Sequence, residues 1–497
     1  MYDELTTFFG EIEWNTNGMY IGLYPIIENE DHSKELVKKK NAHLPEAIEY
    51  AICMKRFPSE NQLDQVLDRD GVSVDQIREF GSRLAKLQSN VKKIIKPKTE
   101  SDDVVSGKSI MVDNIQQLMD TPMAKKNASR IQAVGDWLKN QLNANTELLA
   151  TRARTGKVRE LHGDLHSGNL FISDGRIEMF DCLEFNDELS QIDVANDIAF
   201  LFMDLYKRNK SNLAWEFMDS WLESTGDFEA LRLVRTLATY RAIVRCKIAA
   251  LSAHSPDDPK CLKEHEEYLA LAELFASRKK GCVIAMVGKS GSGKSHWAAQ
   301  LASKLQGVRI RSDVERKRLF SVDEFASMMT GSGNGDDSST SRPNTRSRKR
   351  IVGDGDGKLN NKRINLYTNE ATDATYDRLH QAALAAIKGM QTVILDASFL
   401  SASRRQALSD FVKQESGSEA IFVHCDADDK VLQARIKERS ARGPNWSDAD
   451  LDVLAKQKLE PFTAIEQVFV LNTGLSEPEK QRRLDEIVKS VSERYCL

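Results

Sequence analysis

No run of about eighteen uncharged apolar residues occurs anywhere in this 497-residue chain, so no membrane-spanning helix is expected. The opening, MYDELTTFFG, lacks a basic segment followed by an apolar core, so no signal peptide is expected and a cytoplasmic location is the default expectation. An excess of one charge is also missing. The chain has 70 Lys and Arg against 74 Asp and Glu, a formal net charge of -4. That excludes a global basic field for nucleic acid while leaving room for a local basic groove. Paired cysteines are absent too: Cys53, Cys182, Cys246, Cys261, Cys282, Cys425 and Cys496 are scattered and never fall as CxxC. Neither a disulfide framework nor a zinc site is expected. Cys282 and Cys425 lie in apolar strand-like runs and read as small buried hydrophobes. What is present, 41% hydrophobic and 29% charged residues, is ordinary for a soluble globular protein, and the length favours two or three domains.

Residues 11–56 read as strands. EIEW and MYIGLYPII flank Asn17-Gly18, a type I′ hairpin signal, and EAIEYAICMKRF continues in extended form. From about residue 74 the period turns helical, with Ile77, Phe80, Leu84 and Leu87 on one face. A polar stretch near 96–109 interrupts, helical patterns return around 110–150, a loop-rich segment covers 158–185, and helices follow to about residue 278. SRKKG at 277–281 marks a boundary. Beyond it CVIAMV, VRIRSD, TVILDA, AIFVHCDA and VFVLNT alternate with helical stretches, which implies a five-stranded parallel α/β sheet. Residues 326–362 are rich in Gly, Ser, Asp and Asn and are expected to be a disordered insertion. Its basic cluster, Arg342, Arg346, Arg348, Lys349 and Arg350, reads as a solvated loop, with a nucleic-acid or acidic-partner contact through 342–350 as the alternative.

Gly288-Lys289-Ser290-Gly291-Ser292-Gly293-Lys294-Ser295 is G-x-x-x-x-G-K-S between a strand and a helix. The glycines let backbone N–H groups turn inward around phosphate oxygens, and the helix N-terminus adds partial positive charge. Lys294 reaches the β- and γ-phosphates of ATP, and Ser295 offers a hydroxyl to Mg²⁺. Asp313 ends the second strand. It is placed to accept a proton from an acceptor hydroxyl, or to cap the helix of VERKRLF, or both. Asp396 ends TVILDA and fits the carboxylate that holds Mg²⁺ through water. Arg404 and Arg405 follow it. Arg435 and Arg439 lie one helical turn apart, with Arg442 beyond. Arginines on a mobile helix close over a triphosphate; a solvated basic face is the alternative.

GKSGSGKSH, RSDVERKRL, ATYDRL and VILDASFL together resemble the P-loop kinase-like ATPase family that contains gluconate kinase-like, polynucleotide kinase-like and zeta-toxin-like proteins. The resemblance runs over about 281–475. It implies that Lys294 and Ser295 bind nucleotide and Mg²⁺, that Asp313 addresses the acceptor, and that the Arg435/Arg439 segment is a lid. The 326–362 insertion departs from the family's compact spacing, in a region that commonly helps shape the acceptor site.

In the first half, LHGDLHSGNL supplies His162, Asp164, His166 and Asn169, and Asp181 follows the run RIEMF. This is kinase-like logic: Asp164 orients or deprotonates a hydroxyl, while Asn169 and Asp181 hold Mg²⁺ on phosphates. Polar bracing of a turn is the alternative. A zinc reading of His162 and His166 is set aside, because Gly163 and Ser167-Gly168 favour a loop and no third ligand has matching spacing. The segment, with MFDCLEFND, DVANDIAFLFMDL and YRAIVRCKIA, resembles the aminoglycoside phosphotransferase family of kinase-fold proteins. The whole chain is similar to a bacterial fusion of such a domain with a P-loop domain. The resemblance implies that Asp164 is the catalytic aspartate, that Asn169 and Asp181 bind metal, and that Asp193 and Asp197 are structural. It also implies a phosphate-binding lysine on an early strand, yet no lysine precedes residue 20. MYIGLYPIIE resembles a late strand of that lobe and Lys55 lies on a hinge-side strand. The chain is expected to begin part-way through the lobe, without independent ATP binding there.

The expectation is an incomplete kinase-fold domain over 1–278, α+β and mostly helical, then a P-loop domain over 279–497. ATP and Mg²⁺ are the expected cofactors, a small or medium hydroxyl compound the acceptor, and no membrane is involved. An ATP-hydrolysing switch with a regulatory first half, and a nucleic-acid-end-binding or processing protein, are the alternatives. The family name is no evidence for antibiotic chemistry, since a fold does not fix a substrate.

Overall fold

The computed structural model describes residues 20–29, 32–38, 43–183, 187–255, 257–278, 280–320, 348–353, 359–364, 368–441 and 451–495. By packing, the chain divides into two units. One takes the chain through Phe217 together with Val234–Ala276; the other takes Met218–Leu233 together with 277–497. Among the described residues, no helix is long and apolar enough to cross a membrane.

The first unit opens with an antiparallel sheet in the order β2-β1-β3, made of β1 (Tyr20–Glu28), β2 (Lys34–Leu36) and β3 (Ala47–Met54). Leu23 stands opposite Ile52, and Pro25 opposite Tyr50. The hairpin expected at Asn17-Gly18 lies outside the described residues. The helix Val74–Asn90 starts at a capping box between Ser73 and Gln76, which satisfies two otherwise orphaned groups. It buries Ile77, Phe80 and Leu84 as its spacing requires. At the next turn Gln88 is buried and Leu87 only partly so, because the Gln88 amide donates to Asp197 (3.1 Å).

The helix Val194–Lys207 is the axis of this unit. Every residue from Val194 to Leu205 is buried, including the polar Asn196, Asp197 and Asp204. The helix Val234–Leu251 packs along it. Asp193 caps its N-terminus by accepting from the Ala195 amide (2.7 Å) and takes Arg152 Nε and Nη2 in a buried two-point pair at 2.7 and 2.8 Å. The structural roles expected for Asp193 and Asp197 are therefore visible as bonds. Between these helices, β4 (Val158–Glu160) pairs with β7 (Gln191–Asp193), enclosing the hairpin of β5 (Leu170–Ser173) and β6 (Arg176–Met179). This double return brings the 161–169 loop beside 180–183.

The second unit is a five-stranded parallel sheet in the order β14-β13-β8-β12-β9. Its strands are β8 (Cys282–Val287), β9 (Gly307–Arg311), β12 (Thr392–Asp396), β13 (Ile421–Asp426) and β14 (Gln467–Asn472). All residues of β8 and β12 are buried, as continuous apolar runs covered on both faces should be. Trp297 and Leu301 of the helix Lys294–Lys304 pack in one core cluster with Leu484, Ile487 and Val491 of the helix Glu477–Tyr495. Burial pushes the thiols of Cys282 and Cys425 up to about 12, and the six described cysteines are all free. Within the insertion expected to be disordered over 326–362, β10 (Arg348–Gly353) pairs antiparallel with β11 (Leu359–Ile364). Arg348, Lys349 and Arg350 sit on β10. Arg342 and Arg346 lie outside the described residues.

Met218–Leu233 is stitched into this second unit at its edge strand. Asp219 accepts from the Arg309 amide of β9 (2.7 Å) and Glu223 pairs with Arg311 (2.9 Å). Arg378 donates to the Gly226 carbonyl (2.7 Å) and lies 4.6 Å over the Phe228 ring. At Gly389 the two backbones approach so closely that a Cβ there would stand 2.0 Å from the Leu231 carbonyl oxygen. Backbone cannot yield as a side-chain tip can. Gly389→Ala is therefore expected to destabilise the second unit by about 1–3 kcal/mol, lowering its melting temperature by several degrees in a calorimetric scan of the full chain. An unchanged melting temperature would mean that the segment is not held there.

Candidate functional site

In the second unit the P-loop follows β8 and feeds the helix Lys294–Lys304. Its glycines are required by space as well as by dihedral angle. A Cβ at Gly288 (φ +147°) would meet the Cys425 carbonyl oxygen at 2.5 Å, and one at Gly291 (φ +81°) would meet that of Leu432 at 2.9 Å. The Gly288 amide donates to the Ser398 carbonyl (3.0 Å). The Lys294 ammonium donates to the Lys289 carbonyl (2.8 Å), folded back over the loop. The Lys289 side chain turns outward to Asp429 (2.9 Å). Ser292 Oγ is buried with no hydrogen-bond partner, while Ser295 is exposed in the first turn of the helix.

Two carboxylates lie near this loop, one ending a strand and the other, which the sequence placed at a strand end, opening the next helix. Asp396 is the last residue of β12, in register with Arg311 of β9, and its Oδ2 is buried without a hydrogen-bond partner. Asp313, half-buried, lies in the first turn of the helix Ser312–Phe320. Burial first, and then the charge of Asp396, push its carboxyl above the usual range, against the pull of Arg316, Arg311 and Lys294. The structure thus brings Lys294, Asp313 and Asp396 into one electrostatic neighbourhood.

The arginines behave differently from expectation. Arg405 is fully buried. It pairs with Glu466 (2.6 Å) and donates to the carbonyls of Phe399, Leu400, Glu460 and Pro461, bracing the turn that carries Ser398. Arg404 pairs with Asp373 (2.8 Å) over the Tyr376 ring. Arg435, expected on a mobile lid, is instead clamped. It donates to Thr473 Oγ1 (2.9 Å), to the Thr473 carbonyl (2.7 Å) and to the Gly291 carbonyl (3.4 Å), tying the P-loop to the end of β14. The Arg439 side chain and Arg442 lie outside the described residues. Sequence reasoning missed Thr473 and Gln457. The Gln457 amide oxygen accepts from the Ser290 N–H (2.6 Å), an amide of the kind that would face phosphate. Neither residue carries a local motif, and only the fold brings them here.

In the first unit, Asn169 Nδ2 donates to Asp164 Oδ2 (3.0 Å) and to its carbonyl (3.1 Å). His166 Nε2 stands 3.4 Å from the same Oδ2. Burial alone would raise the Asp164 carboxyl. The hydrogen bond and charge of His166, with the charges of His162 and Arg241, outweigh it and hold the group below its ordinary range. Asp181, exposed with φ +60°, follows Phe180, whose amide donates to the Asn169 carbonyl (3.0 Å). The His162 ring bonds to the Phe180 carbonyl (2.9 Å), and Asp197 takes the Gly163 amide (3.1 Å). Asp164 and Asn169 therefore touch, and Asp181 lies on the adjoining return.

Residues 283–460 match a family model described as an AAA domain. Uncharacterized proteins of Mycobacterium tuberculosis and Mycobacterium bovis are 26% identical over 266 residues, 54% of this chain and 47% of theirs. The chain spans about half the length of the curated relatives it matches. Among solved structures, a gluconokinase from Sinorhizobium meliloti 1021 is similar at 16% identity, over 44% of this chain and 97% of its own, with a TM-score of 0.28. A choline kinase from Cryptosporidium parvum Iowa II is similar at 14% identity, over 48% of this chain and 72% of its own, with a TM-score of 0.33. The matched domain and the P-loop geometry together support nucleotide binding by the second unit.

Proposed function

We propose that the second unit is a Mg²⁺-dependent kinase that moves the γ-phosphoryl group of ATP to a hydroxyl of a small or medium acceptor. The observation that carries this reading is a second carboxylate, Asp313, in the first turn of the helix Ser312–Phe320 and in the electrostatic neighbourhood of Asp396 and Lys294. Nucleotide binding alone asks for nothing at Asp313. A carboxylate there, raised by burial and by the charge of Asp396, suits taking a proton from an acceptor hydroxyl.

The residues fit a Mg²⁺ ion. Asp396 presents a buried oxygen without a partner, and Ser295 is open at the helix start. When bound, the ion would neutralise charge on the β- and γ-phosphates. The helix N-terminus, Lys294 and the P-loop amides not bonded within the chain hold the triphosphate. Asp313 takes the acceptor's proton. The acceptor oxygen bonds to the γ-phosphorus as the bond from that phosphorus to the β–γ bridging oxygen breaks, leaving ADP. Arg435 acts as a positioning residue that fixes the Gly291 peptide.

Calorimetric titration of a Mg·ATP analogue into the full chain is expected to show one site. Lys294→Ala should weaken it about ten- to a hundredfold, the scale of losing hydrogen bonds to a charged group, while Asp181→Ala leaves it unchanged. A second site lost in Asp181→Ala would add an ATP site in the first unit. ATP turnover indifferent to every hydroxyl acceptor would replace the kinase reading with the ATPase switch.

Asp313→Asn should lower kcat by roughly 10²–10⁴ while leaving analogue binding intact. The same variant should melt at a higher temperature at neutral pH. A carboxyl whose folded pKa lies above its unfolded value opposes folding increasingly as pH rises from the unfolded pKa to the folded one, and in full above both. Asparagine has no charge to bury there. A melting temperature that falls instead would assign Asp313 to holding the fold.

A further inference from the structure

The first unit contains a cavity of about 360 Å³ that no reading so far uses. It lies between the 104–111 segment, β7 and the helices Val194–Lys207 and Val234–Leu251, and its volume is within the range of small-molecule sites. Arg241, Tyr240 and Lys96 are among its polar lining, with Asp193, whose carboxylate is held by Arg152, and Met111, Leu149 and Leu237 are among its apolar lining.

Arg241 is the informative residue. It is 6% exposed, so its guanidinium has left most of its water. Nε donates to Asn196 Oδ1 (2.9 Å), and the planar group lies 4.6 Å over the Phe200 ring. Among the described residues, the two terminal nitrogens make no hydrogen bond and no carboxylate lies within ion-pairing distance of it. The carboxylates whose ionisation feels its charge are Asp164 and Asp197. Both Asp197 oxygens are already engaged by Gly163 and Gln88, and Asp164 Oδ2 is engaged by Asn169. Two other buried arginines are matched by carboxylates, Arg152 by Asp193 and Arg405 by Glu466. A desolvated cation with an open fork is costly unless something completes it. Tyr240 is 5% exposed, and among the described residues its hydroxyl has no hydrogen-bond partner. Lys96 lines the same space, and among the described residues its ammonium has no ion-pair partner.

We propose that this cavity binds a small organic anion, one carboxylate or phosphate ester on an apolar body, with the acidic group in the Arg241 fork. Two parallel N–H donors match either oxyanion. Lys96 adds a second charge, the Tyr240 hydroxyl a further donor, and the apolar end takes the body. The Phe200 ring under Arg241 also carries His166 at 5.3 Å, so the cavity adjoins the Asp164 loop without including it.

The test is calorimetry on the full chain with benzoate, phenyl phosphate and neutral benzamide as probes at millimolar concentration. At least one of the two anions should bind and benzamide should not, and which anion binds decides between carboxylate and phosphate. Arg241→Gln should weaken the bound anion at least about tenfold, the scale of losing a hydrogen-bonded charge partner. Lys96→Met should weaken it about two- to fivefold, as for a more exposed charge. Mg·ATP-analogue binding to the second unit checks that each variant is intact. Should Arg241→Gln fail to fold, Lys96→Met and Tyr240→Phe decide, each expected to weaken the anion. No binding of either anion, equal binding of benzamide, or affinities unmoved by the variants that fold would overturn the proposal.

Discussion

Asp396 at the end of β12 and Asp313 in the first turn of the helix after β9 bring charge of one sign together, and the second unit is organised around tolerating that. Between exposed groups such repulsion is worth about 1 kcal/mol; in a corner with little water it is several times larger. Lys294, Arg311 and Arg316 pull against it, and the sheet holds the geometry. β8 and β12 are closed to water along their whole length, so the strand ends cannot drift apart without opening a core. Behind the site, Arg405 gathers four carbonyls and Glu466, and the turn it braces supplies the Ser398 carbonyl that takes the Gly288 amide. A buried arginine with no role in the chemistry thus sets where the phosphate-binding loop begins.

How much of this was legible depended on how local the determinant was. The P-loop was readable because strand, glycines, lysine and helix are consecutive, and each has its own physical reason. The five strands were readable because buried parallel strands leave unbroken apolar runs. Arg435 was readable as an arginine near the site, but its posture was not, since its partner Thr473 arrives from the far side of β14. Gln457 was invisible for the same reason. Gln88 displaced Leu87 from the buried face because a carboxylate from another helix, Asp197, was waiting there. Sequence periodicity cannot register a partner that lies more than a hundred residues away.

In the first unit, nested strand pairs do what a single long loop could not. β4 with β7 outside, and β5 with β6 inside, force two irregular segments to run side by side. Asp164 and Asn169 then meet through a side-chain hydrogen bond, with Asp181 on the adjoining return. The positive φ at Asp181 is a conformation an aspartate adopts at some cost, a local sign of a residue placed for something other than the regularity of the chain.

The stitching of Met218–Leu233 onto β9 gives the order of synthesis a structural meaning. This segment leaves the ribosome before any strand of the parallel sheet it will cover, so Asp219 and Glu223 must wait for the arginines of β9. An uncovered edge strand is a template for pairing with another chain. Here the cover is already made when the edge emerges. A cleavage between 233 and 277 would leave the covering piece held to the second unit by non-covalent contacts, those of Arg309, Arg311, Arg318 and Arg378 and the close backbone approach at Gly389 among them.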